Sequence, residues 1–228
     1  MDKILCVISG GMDSATLLYK AMDEREEKVE AISFNYGQRH KKELTYAAEL
    51  CRQLNVRHDI IDLSSITPYI GGSSLTDDIA VPDGHYTEDS MKITVVPNRN
   101  AIMLTVAFGV AVARNSSVVG AGMHAGDHAI YPDCRPEFVS AFDAMQRVAV
   151  QGHGNDSLHL WTPFINQSKA DIAAEGGRLG VNYEMTWSCY KGQSLHCGKC
   201  GTCYERREAF ELAGMKDPTK YTTTGVSA

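Results

Sequence analysis

The chain predicts an α/β domain: a mostly parallel sheet covered by helices on both faces, with a small metal-binding segment near its C-terminal end. Three observations carry this: short apolar runs that alternate with helical periodicity, a glycine turn between the first run and the first helix, and a late cluster of four cysteines. Ile4–Ile8, Glu30–Phe34, His58–Leu63 and Ser117–Ala121 have the length and apolar content of buried strands. After the first, Ala15-Thr16-Leu17-Leu18 reads as a helix. After the second, apolar positions Leu44, Ala47, Ala48, Cys51 and Leu54 form one helical stripe, with Lys41, Lys42, Glu43 and Glu49 outside it. Ala101–Ala113 is apolar all round and predicts a central buried helix. Between Ser64 and Ser90 the pattern breaks into Gly71-Gly72-Ser73-Ser74, Thr76-Asp77-Asp78 and Pro82-Asp83-Gly84, a connection long enough for a lid, a binding loop or a surface insertion. In such a fold ligands gather at the carboxyl ends of the strands.

Composition narrows the function. At 228 residues with 43% hydrophobic content, one sizeable core is expected, with residues 1–185 as a nucleotide-binding domain and residues 186–228 as a segment packed on it. The formal charge of -6, without any Lys/Arg-rich block, speaks against a direct nucleic-acid surface and for a small-molecule substrate. The N-terminus enters a strand with no leader pattern. The run Ala101–Ala113 is too short for a membrane span, so a cytoplasmic protein without membrane association is expected, with a homodimer left open.

Ser9-Gly10-Gly11-Met12-Asp13-Ser14, between Ile8 and Ala15, is built to hold phosphate. Its glycines let backbone N–H groups approach an anion, Ser9 and Ser14 add hydroxyls, and the next helix points its positive end at the same place. No Lys-Ser/Thr pair follows the second glycine and no G-x-G-x-x-G spacing is present, which excludes the Walker and dinucleotide loops. The pattern S-G-G-x-D-S resembles the pyrophosphate loop of the ATP-pyrophosphatases, the PP-loop group that includes NAD synthetase and GMP synthetase. That resemblance implies a Rossmann-like fold of the adenine nucleotide alpha hydrolase type, ATP held by Ile8 to Leu18 (Ile8, Ser9, Gly10, Gly11, Met12, Asp13, Ser14, Ala15, Thr16, Leu17 and Leu18), and cleavage to AMP and pyrophosphate. Asp13 reads equally as a Mg²⁺ or loop-fixing carboxylate and as the first helix's N-cap.

Cys189, Cys197, Cys200 and Cys203 follow a C-x7-C-x2-C-x2-C spacing. Four thiolates on two Cys-x-x-Cys knuckles suit a closed, structural Zn²⁺ site, one per chain. An iron–sulfur cluster is the rival, and His196 beside them reads as a neighbour of the site. Cys6 and Cys51 read as core residues; Cys134, next to Arg135, reads as a buried thiol or a nucleophile.

Further motifs occur in register: Asn35-Tyr36-Gly37-Gln38-Arg39-His40, Pro97-Asn98-Arg99-Asn100, Tyr131-Pro132-Asp133-Cys134-Arg135 and Trp187-Ser188-Cys189-Tyr190. With the ATP loop and the cysteines, their order resembles that of the 7-cyano-7-deazaguanine synthase family over nearly the whole chain, with departures at Asn35, Asn98 and His124–His128. The resemblance implies a ligase of queuosine biosynthesis. It would convert 7-carboxy-7-deazaguanine and ammonia to the nitrile through an adenylated carboxylate and an amide. Ser9, Asp13, Ser14, Arg99 and Lys169 are then the expected catalytic groups. Arg39 and Arg135 are positive groups for the substrate carboxylate or phosphates, and Asp127 and Asp133 are acceptors for the amino-pyrimidinone edge. No catalytic N-terminal cysteine or glutaminase domain is evident, so ammonia is expected free or from a separate partner. The other readings are a variant that stops at the amide, a tRNA-modifying PP-loop enzyme and a nucleotide-binding module.

Overall fold

The computed structural model of the protein describes residues 3–24, 28–39, 41–85 and 91–222. Five strands form one parallel sheet in the order β3-β2-β1-β4-β5: β1 (Lys3–Val7), β2 (Lys28–Asn35), β3 (Arg57–Asp62), β4 (Val118–Gly120) and β5 (His159–Trp161). The four predicted strands lie where the apolar runs are. The fifth was not expected. It has three residues, includes His159 and Trp161, and pairs only with β4 at the sheet edge, so no apolar run marks it.

Helices α1 (Met12–Glu24), α2 (Lys42–Gln53), α3 (Arg99–Ala113), α4 (Pro136–Ala149), α5 (Lys169–Arg178) and α6 (Gly201–Leu212) complete the fold. One apolar cluster joins the α1 and α2 side to Ile172, Ala173 and Phe210; the other sets Leu104, Phe108 and Phe142 against Leu5, Ile32 and Val119. The sheet is therefore covered on both faces, as a buried parallel sheet requires. Helix α2 buries Leu44, Ala47, Leu50 and Cys51; Ala48 is half-buried. Helix α5 begins with a capping box between Ser168 and Asp171, and α2 and α3 end on left-handed Asn55 and Asn115, whose amides return to carbonyls of the last turn.

Helix α3 differs from expectation. It buries Leu104, Ala107, Phe108 and Ala111 but exposes Thr105, Gly109 and Ala113, so it is a one-sided cover for the sheet. Lys92–Ala113 is apolar enough by composition to cross a membrane. The backbone divides it into a 3-10 turn at Lys92–Thr94 and the fifteen residues of α3, about 22 Å of helix against a hydrocarbon core of about 30 Å.

Strand order reverses between β1 and β4, so a crevice opens at their carboxyl ends. The glycine loop follows β1 and Ala121–His124 follows β4. The two meet: a Cβ at Gly122 would come into van der Waals contact with the backbone of Asp13 and Ser14.

Candidate active site

The glycine loop is tied into one shape by its own serines. Ser14 Oγ accepts from the Ser9 amide at 3.1 Å and donates to the Gly11 carbonyl at 3.1 Å, while Ser9 Oγ lies 3.2 Å from Ser14 Oγ and accepts from the Gly11 amide at 3.3 Å. Gly10 has φ +87° and lies against α2, where a Cβ would collide with the Glu43 carbonyl. No other residue fits that turn. The Gly10 carbonyl accepts from the Trp187 amide at 2.8 Å, which fastens the loop to the C-terminal segment.

A cavity of about 260 Å³ opens beside this loop. Ile8, Ser9, Gly11, Met12, Asp13 and Ser14 form one wall, with Asp127 and Lys169 near them; Tyr36, Glu43, Arg99, Cys134, Trp187 and Tyr190 form another part of the lining. Ala15, Thr16, Leu17 and Leu18 continue α1 into the core, away from the cavity. Helix α1 begins at Met12, so Asp13 lies within its first turn and is not its N-cap.

Lys169 starts α5. Its Nζ lies 2.5 Å from Glu205 Oε2 and 3.4 Å from Asp13 Oδ2. Burial opposes its charge, but Asp13, Glu205 and Asp127 outweigh that and hold the ammonium well above the usual lysine range. His124 accepts the Gly126 amide on Nδ1 at 3.2 Å, and its Nε2 lies 3.4 Å from Asp127 and 3.8 Å from Asp13. His124, Asp127 and Glu205 offer ligand atoms within 4.8 Å of one another, and Asp13 Oδ1 is buried with no hydrogen-bond partner among the described residues. A divalent cation arriving with a nucleotide would meet carboxylate oxygens here, as hard cations require.

Arg99 enters from the first turn of α3, 5.6 Å from the Tyr36 ring centroid, with no carboxylate in ion-pair contact among the described residues. The other predicted substrate residues lie elsewhere. Arg39 donates to Asp78 at 3.0 Å and to the Ile79 carbonyl at 2.8 Å, tying down the long connection. Arg135 donates to the His128 carbonyl at 2.7 Å, and Asp133 accepts the Asn100 amide at 2.9 Å, supplying the cap that Asn98 does not give to α3. None of the three lines the cavity; Asp127 does. Cys134 forms part of its wall. Burial, reinforced by Asp127 and Asp133, pushes its thiol up, which disfavours the thiolate that a nucleophile needs.

Glu43 was expected on the outer face of α2 and instead lines the cavity, because the start of α2 stands near the carboxyl end of β2. Gln38 Nε2 donates to it at 3.2 Å. Burial raises its pKa to about 7 against the pull of Arg99 and Gln38. An unfolded glutamate ionises near 4.5, so the fold loses stability as pH rises from there to about 7, by about 3 kcal/mol in full. Glu43→Gln is therefore expected to melt higher than the parent above about pH 7 and to lose that advantage below pH 4.5. Equal melting temperatures at about pH 8 would refute the buried acid.

The four cysteines converge as their spacing predicts. All four Sγ atoms lie within 4.8 Å of one another, and amides of Lys191, Cys197, Lys199 and Cys200 donate to Cys189 or Cys197 sulfur at 3.3–3.4 Å. Buried sulfurs that accept several N–H groups are suited to the thiolate form a metal needs, so the residues fit a four-thiolate metal site. His196 stays outside the set: its Nε2 accepts the Ser188 amide at 3.1 Å, and burial lowers its pKa to about 4. Arg206, fully buried on α6, donates to Thr186 Oγ1 at 2.7 Å, to Ser188 Oγ at 3.2 Å and to the Tyr183 carbonyl at 3.1 Å. The metal segment thus carries Trp187, Ser188 and Tyr190 to the cavity.

A serine-tied S-G-G-x-D-S loop at the switch point of a parallel sheet, with a buried lysine across from it, defines an enzyme of the PP-loop type. The chain belongs to the QueC family: residues 3–214 match the family described as queuosine biosynthesis protein QueC. Among relatives, it is 57% identical to a 7-cyano-7-deazaguanine synthase of Allorhizobium ampelinum over 96% of this chain and 92% of that protein. It is 55% identical to one of Ruegeria pomeroyi over 96% and 94%. In fold it is similar to the NMN synthetase of Francisella tularensis, with TM-score 0.53 and 16% identity over 93% of this chain and 77% of that one.

Proposed function

We propose that the cavity converts 7-carboxy-7-deazaguanine to 7-cyano-7-deazaguanine in two rounds of activation by ATP, with ammonia as the nitrogen source. The observation that carries this is Arg99, a guanidinium lining the cavity with no carboxylate of the described residues paired to it. A substrate carboxylate supplies that partner. In the first round a carboxylate oxygen bonds the α-phosphorus and pyrophosphate leaves; ammonia then displaces AMP to give the amide and one proton. In the second round the amide oxygen is adenylated, and loss of AMP with the remaining nitrogen protons gives the nitrile.

The amides that follow Ser9, the Ser9 and Ser14 hydroxyls and the Lys169 ammonium stabilise the departing pyrophosphate, whose charge grows in the transition state. Asp13, Asp127 and Glu205 would hold Mg²⁺, which spreads that charge further. The four cysteines would hold Zn²⁺, whose part would be structural, fixing the segment that carries Trp187, Ser188 and Tyr190. Purified protein with the deazaguanine acid, Mg²⁺-ATP and ammonium is expected to yield the nitrile, with AMP and pyrophosphate each formed twice per nitrile. An amide that never proceeds would mean the shortened reaction; an unchanged base would overturn the reading. Equal turnover with glutamine alone would overturn ammonia as the direct donor.

A further inference from the structure

A second, separate space of about 20 Å³ adjoins the main cavity and shares Tyr36, Glu43 and Tyr190 with it. Its remaining walls are Gln38, Ser74, Leu75 and Cys189. That is room for one particle of water size. Ser74 is 1% exposed, and its Oγ has no hydrogen-bond partner among the described residues. A buried hydroxyl left in that state costs about 1–3 kcal/mol, so its presence beside a particle-sized space points to a small polar ligand. The charge pattern says which kind. Ser74 Oγ and the Glu43 carboxylate can accept, the Gln38 carbonyl oxygen is already taken by the Tyr36 amide at 2.8 Å, and Tyr36 and Tyr190 complete the lining. Two acceptors beside one small space suit a donor-only cation.

We propose that this space is the entry site for the nitrogen donor, a single ammonium ion held between Ser74 Oγ and the Glu43 carboxylate. The inference rests on the reading above that ammonia is the nucleophile. To attack, ammonium must lose one proton. Glu43 accepts it, and neutral ammonia crosses into the main cavity with its lone pair free to form the C–N bond. The burial that raises the Glu43 pKa to about 7 suits it to that exchange.

Crystals of the metal-loaded protein soaked in thallium(I), which matches ammonium in charge and size, test the site directly. An anomalous peak between Ser74 and Glu43 that ammonium chloride displaces is expected. Ser74→Val, which fills the space and removes the hydroxyl, is expected to raise the ammonium KM about tenfold or more while leaving the KM for ATP and for the deazaguanine acid unchanged. Should that variant fold poorly, Ser74→Ala keeps the space and is expected to raise the ammonium KM about threefold or more. No thallium peak, a peak that ammonium does not displace, or an unchanged ammonium KM in both variants overturns the proposal. A displaceable peak in a protein that leaves the deazaguanine acid unchanged upholds the cation site and overturns only the reaction.

Discussion

Cys200→Ser is expected to strip the metal and cost the protein both its C-terminal packing and its activity. Cys200 precedes α6, is fully buried, and lies with its sulfur 3.5 Å from that of Cys203. A serine oxygen is a poor replacement for a thiolate on zinc, and three thiolates left together without the ion repel one another. Structural zinc contributes about 10–16 kcal/mol in small peptides, so losing even part of it is large against the stability of a domain. The effect reaches the cavity through chain geometry. Trp187 binds the Gly10 carbonyl, Ser188 and Tyr190 flank Cys189, and Glu205 on α6 pairs with Lys169. Movement of about 1 Å in such groups costs about 10²-fold in rate. Metal analysis, a melting curve and turnover measured on the same sample check this. Metal-free Cys200→Ser with parental melting temperature and turnover would show that the thiolate cluster does not organise the site. The parent's absorption decides the metal: zinc is colourless, whereas an iron–sulfur cluster absorbs visible light.

Local signals were readable where sequence neighbours do the work. The glycine loop, the first four strands and the cysteine knuckles each lie within a short span, so their chemistry shows in the residue order. Groups whose partners come from afar were not readable. Arg39 has the motif position of a substrate group, yet its guanidinium meets Asp78 and the Ile79 carbonyl, about forty residues on. Asp133 caps α3 from a separate turn, and Arg135 folds back onto His128. Glu43 carried the reverse problem. A charged residue beside Lys41 and Lys42 reads as a solvated face, and only the position of α2 near the end of β2 turns it inward. Glu205 and His124 were not readable as site groups because their ammonium and carboxylate partners, Lys169, Asp13 and Asp127, are gathered from α1, α5 and the segment after β4. Helix α3 misled by composition: an all-apolar run was read as buried all round, but small residues can sit at the surface at little cost.

Lys169→Met is expected to lower kcat about 10²–10³-fold, the cost of removing one charged donor from a site of growing negative charge. It keeps the alkyl stem and removes the ammonium. It is also expected to destabilise the fold, because Asp13 and Glu205 would face each other without their shared cation; breaking a buried pair this way costs about 3–5 kcal/mol. The two losses separate in a second step. Glu205→Gln added to Lys169→Met removes one of the stranded charges, so the melting temperature is expected to recover in part while kcat stays low. Non-additive stability with unrecovered turnover is the signature of a lysine that is paired in the resting fold and used on phosphate during the reaction. Restored turnover in the double variant would instead mean that Lys169 serves only to neutralise Glu205. Full activity in the single variant would remove it from the reaction altogether, leaving the loop amides and the Ser9 and Ser14 hydroxyls to bear the pyrophosphate charge without it.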